Sequence, residues 1–91
     1  MKERYEVLKQ IRLCLRWQID TFTEMLGFSS PSYVQNVEDG KVNNVEYIYQ
    51  RYAKVAGIKP STLRAFINEA EREHYSVETI VSALKQMLRI S

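Results

Sequence analysis

The sequence predicts an all-α fold, a compact bundle of five or six helices forming one domain over residues 1–91. Apolar residues recur at three- and four-residue steps along most of the chain, the period of a helix with one buried face. Glycine and proline number only 3 and 2, too few to punctuate a chain of many short strands. An apolar fraction of 45% is enough to fill a core and argues against disorder.

Over 3–17 the inner stripe is Leu8, Ile11 and Leu15, flanked by Val7 and Cys14, with Arg4, Lys9 and Arg16 mostly turned away. A second helix starts within 18–21 and runs to Leu26, with Phe22, Met25 and Leu26 inward, and Gly27 ends it. Phe28-Ser29-Ser30-Pro31 is a compact turn. Ser30 reads as the N-cap of the next helix and Pro31 as its first residue, where a missing N–H costs nothing. The third helix covers 31–38, with Val34 and Val37 inward, and Asp39-Gly40 closes it.

After a polar loop at 41–44, a fourth helix over 45–56 carries Val45, Ile48, Tyr49, Tyr52 and Ala56 at helical spacing. Tyr47, Tyr49 and Tyr52 at that spacing read as core and rim. Lys59-Pro60-Ser61 opens a fifth helix with Leu63, Phe66, Ile67 and Ala70 on its apolar side. A break at 74–76 precedes the last helix, over 77–90, whose stripe is Val77, Ile80, Val81, Leu84, Met87 and Leu88.

Several function classes fall away on composition. Cys14 is the only cysteine, so no internal disulfide forms, which fits a reducing compartment. His74 is the only histidine and Cys14 lies sixty residues away on an apolar face, so no metal site is expected. No Ser/His/Asp grouping, glycine-rich phosphate loop or paired carboxylate is present; neither an enzyme nor a cofactor is expected. No apolar run approaches the roughly 18–20 residues that span a bilayer, and the opening MKERYEVLK has no signal-like apolar stretch. The expectation is a soluble, cytoplasmic chain with no membrane partner.

The informative stretch is 18–40: a helix, a glycine-ended turn, and a short helix ended by Glu-Asp-Gly. If Val34 and Val37 anchor the short helix, Ser32, Tyr33, Gln35 and Asn36 point outward. These hydroxyl and amide groups suit base edges in a major groove. The competing reading is an ordinary solvated face, and for Tyr33 simple packing over the turn. Pro31 and Ser30 would bring the free N–H groups of the helix start near a phosphate. Arg16, Gln18, Lys41 and Asn43 are the candidate backbone contacts around it.

Here the chain resembles the Cro-and-repressor (Xre-like) helix-turn-helix family of DNA-binding proteins, over roughly residues 8–63. The matching pieces are IRLCLR, FTEMLGF, SYVQNVEDGK and YAKVAGI. The resemblance implies a lambda-repressor-like domain with an extra C-terminal helix, double-stranded DNA as partner, and a prokaryotic or phage-infected cell. It implies a homodimeric repressor on a palindromic operator. The stripe Val77, Val81, Leu84 and Leu88 of the last helix lies outside the resemblance, and either covers the core or builds the two-fold face that such a dimer requires. The resemblance also implies that Arg12 pairs with Glu38 to fasten the reading helix to the first helix. The chain departs from the family in three places. The 28–31 turn is one residue longer, Ile19 stands where a phosphate-contacting glutamine is usual, and Thr23 replaces a small alanine.

Charge points to a rival. Residues 17–40 contain no Lys or Arg, while Asp20, Glu24, Glu38 and Asp39 give a formal −4 within a chain of net +2. Phosphate attraction supplies most non-specific DNA affinity, so Arg16, Lys41, Lys54 or Lys59 would have to provide it. The alternative is the same fold used as a protein-interaction module, an antitoxin-like or anti-regulator subunit.

Overall fold

The structure is a computed structural model describing residues 3–42 and 45–90. It consists of six helices and, among the described residues, no strand: α1 (Glu3–Cys14), α2 (Ile19–Leu26), α3 (Pro31–Glu38), α4 (Val45–Ala56), α5 (Pro60–Glu73) and α6 (Val77–Met87). None is long and apolar enough to cross a membrane.

α1 is the organising helix. It packs on α6, α5, α3 and α4, while α2 packs on α3 and α4. Its Val7, Leu8 and Ile11 are buried with Phe22, Leu26, Val34, Ile48, Tyr52, Leu63, Ile67, Ile80 and Leu84 in a single core. Each large side chain taken fully from water contributes about 1.5–3 kcal/mol before entropy is charged against it. Phe22 is fully buried in it, its ring edge-on to Tyr52 at 5.3 Å and to Trp17 at 6.1 Å.

Local chemistry sets most of the helix ends. Pro31 and Pro60 occupy first-turn positions. At the end of α3, Gly40 takes φ +78°, and the amides of Gly40 and Lys41 bond back to the carbonyls of Val37 and Asn36. Ser76 caps α6 by accepting the Thr79 amide at 3.2 Å. Ser30 has the extended backbone of an N-cap, but its side chain makes no capping hydrogen bond.

Four expectations are corrected. α1 stops at Cys14, short of residue 17, because the backbone turns left-handed at Arg16 (φ 59°) and sends Trp17 onto Phe22. α6 stops at Met87, short of residue 90, by the same device at Arg89 (φ 56°). Met25 is 55% exposed, not inward. The buried arc of α2 is Phe22, Thr23 and Leu26, and residue 25 falls about 60° outside it on a helix of 100° per residue. Thr23 is tolerated there because its hydroxyl donates to the Ile19 carbonyl at 2.6 Å. Finally, Leu84 is fully buried in the chain's own core. Leu88 is half-buried against that core, which leaves Val77 (46% exposed) and half-buried Val81 as the surface part of the stripe.

Candidate nucleic-acid interface

α3 is held from beneath by two valines and at its end by one carboxylate. Val34 and Val37 are buried, and the same helix turns Pro31, Ser32, Gln35 and Asn36 to solvent. Of these outward side chains, Gln35 donates Nε2 to Asp39 Oδ1 at 3.2 Å. Tyr33 is half-buried, its ring edge-on to Phe28 at 4.8 Å, so it packs over the turn and keeps only part of its surface free.

Glu38, the last residue of α3, is buried and faces α1 and α4. Arg12 grips it with a fork, donating Nε to Oε2 at 3.0 Å and Nη2 to Oε1 at 3.0 Å. Tyr52 donates its hydroxyl to the same Oε2 at 3.2 Å. The carboxylate is therefore fully used, and no buried side-chain polar atom among the described residues lacks a partner. Burial and the adjacent carboxylate push the Tyr52 phenol far above its ordinary range. The Arg12 guanidinium is raised by its hydrogen bond to Glu38, against the opposing effect of burial.

Beside the start of α2 lies a shallow depression lined by Arg12, Arg16, Trp17, Gln18, Ile19 and Gln35. It brings the candidate residues Arg16 and Gln18, both exposed, next to Gln35 of α3. Lys41 is exposed at the opposite end of α3 and does not line that depression. Asn43 lies outside the described residues.

No family model, curated protein or solved structure matches the chain. Its own geometry therefore carries the functional reading.

Arg51 is a neighbour that sequence reasoning missed. From α4 its guanidinium lies 5.0 Å over the Tyr47 ring, and Nη1 comes within 3.3 Å of where a β-carbon on Gly27 would stand. Tyr47, 39% exposed, is in turn 6.1 Å from Phe28. A cation thus reaches the turn between α2 and α3, a stretch with no Lys or Arg of its own. The four-residue spacing of Tyr47 and Arg51 on one helix was the available signal. Among the described residues, no cluster of three or more metal-ligating side chains occurs.

Proposed function

We propose that this chain is a sequence-specific DNA-binding regulator of the helix-turn-helix type, with α3 as the helix that reads the major groove. The observation that carries the reading is the division of α3 into two faces. One face is locked by Val34, Val37 and the Arg12–Glu38–Tyr52 cluster. The other presents the amide and hydroxyl groups of Ser32, Gln35 and Asn36 to solvent, suited to base edges, with Gln35 engaged only by exposed Asp39 of the same turn. A reading helix gains from rigidity, since the cost of ordering it at binding is subtracted from affinity. Arg16, Gln18 and Arg51 supply the surrounding phosphate contacts that position it. As a repressor, the chain would occupy a palindromic operator as a homodimer, each copy reading a half-site.

A second reading draws on the charges. Asp20, Glu24 and Asp39 are exposed in a stretch that contains no Lys or Arg, which suits a protein partner better than a phosphate backbone. Selection from a random duplex pool at modest salt separates the two. Enrichment of a two-fold symmetric sequence is expected for the regulator. A pool that stays random after several rounds overturns it in favour of the protein-binding module.

A further inference from the structure

Away from α3, the C-terminal ends of α1 and α6 converge on an open trough of about 650 Å³. Its apolar surface includes Leu13, Val81 and Ile90, and Leu13 and Ile90 are 45% and 38% exposed. Its charged lining is Arg16, Lys85 and Arg89, and no carboxylate among the described residues lines it. None of these three cations forms an ion pair among the described residues, whereas Arg4, Arg12 and Arg64 each hold a glutamate.

Two features set this trough apart from an ordinary solvated surface. Exposed apolar side chains scattered singly need no explanation, but grouped ones rimmed by charge mark interaction sites. In addition, Arg16 and Arg89 both occupy left-handed backbone (φ 59° and 56°), where glycine would be the more stable choice. Cations just past a helix end do interact favourably with its dipole. That attraction accounts for the charge at each end, but not for an apolar floor between two such ends or for the lack of any acid.

We propose that this trough docks an acidic amphipathic helix of a partner protein. Its leucine-type side chains would seat on Leu13, Val81 and Ile90, and its carboxylates would pair with Arg16, Lys85 and Arg89. A second copy of the chain meeting here about a two-fold axis would bring the same three cations face to face, which disfavours self-association at this surface. The trough shares no residue with the outward face of α3, and its one overlap with the phosphate contacts proposed above is Arg16, which the variants below leave unchanged.

The test is fluorescence anisotropy with a labelled helical peptide of about fifteen residues, leucines at positions i, i+3, i+4 and i+7 and glutamates elsewhere. A twin peptide carries lysine in place of every glutamate. The acidic peptide should bind saturably and weaken with salt, and the basic twin should bind at least about tenfold more weakly. Lys85→Glu with Arg89→Glu should invert that preference, and Leu13→Gln should weaken the acidic peptide. Circular dichroism on each variant checks that the helices remain. Ser32→Ala should leave peptide affinity unchanged. The proposal is overturned if the acidic peptide shows no saturable binding, or if charge reversal leaves the preference as it was. It is equally overturned if Leu13→Gln turns a dimer into a monomer in sedimentation while no peptide binds, or if the charge-reversed variant loses only duplex affinity.

Discussion

The Tyr52 hydroxyl donates to Glu38 Oε2 at 3.2 Å, the same oxygen that accepts Arg12 Nε at 3.0 Å. α1, α3 and α4 therefore meet on one carboxylate, whose side chain is only 2% exposed while that of Arg12 is 15% exposed. Removing either donor tests a different part of this cluster. Arg12→Ala strands a buried charge and should cost about 3–5 kcal/mol. Tyr52→Phe keeps the ring against Phe22 and loses one hydrogen bond to a charged group, a cost of about 1.5–3 kcal/mol. Thermal melts of the two variants measure the difference, and an Arg12→Ala protein melting like its parent removes the fastening role.

The tyrosines make stability fall in alkali. Burial raises the Tyr49 and Tyr52 phenols above the ordinary value of 10.0. Above pH 10 the unfolded chain loses protons that the folded chain still holds, so stability decreases as pH rises. Urea melts between pH 8 and 11, values chosen to bracket the ordinary phenol pKa of about 10, should show the midpoint dropping above 10. Tyr52→Phe should flatten that drop, and an unchanged slope would place the titrating groups elsewhere.

Gly40 and Gly57 separate backbone strain from collision. Both have positive φ, 78° and 74°. A β-carbon on Gly40 would stand 2.9 Å from Cε2 of Tyr5, whereas one on Gly57 would meet nothing within 4 Å. Gly57→Ala should cost about 1–2 kcal/mol from the left-handed backbone alone. Gly40→Ala should cost about 1–3 kcal/mol more, because the Tyr5 ring must shift. Equal melting temperatures would show that the ring moves freely.

The last helix divides between core and surface. Leu84→Ala should lose about 2–5 kcal/mol, as a filled core site emptied of its side chain does. Val77→Ala, at an exposed position, should stay within about 0.5 kcal/mol. A Leu84→Ala chain of parental stability but altered sedimentation would make Leu84 an interface residue instead.

On the outward face of α3, Ser32→Ala and Asn36→Ala should each relax sequence preference by about 1–3 kcal/mol of discrimination. Lys41→Ala should weaken all duplexes alike and flatten the salt dependence by about one unit of slope. Binding isotherms over a salt series distinguish the two effects. Ser32 and Asn36 variants that behave like Lys41→Ala would end the reading-helix assignment.

Sequence alone determined the helical class, the bounds of α3 and α4, and the inward valines of α3. Those features follow from short-range chemistry: proline where an amide is unneeded, glycine where the backbone turns left-handed, and apolar residues at the helical period. The Arg12–Glu38 pair was legible only through a family resemblance, since 26 residues separate the partners and no spacing rule connects them. Only the tertiary structure decided that Met25 faces water, that Leu84 belongs to the core, and that Tyr52 joins Arg12 on Glu38. It also decided that Arg16, Lys85 and Arg89 share a trough with no acid among its described lining residues. Periodicity says which side of a helix is apolar. How wide an arc is covered, and by what, depends on where the neighbouring helices pack, and that information is spread over the whole chain.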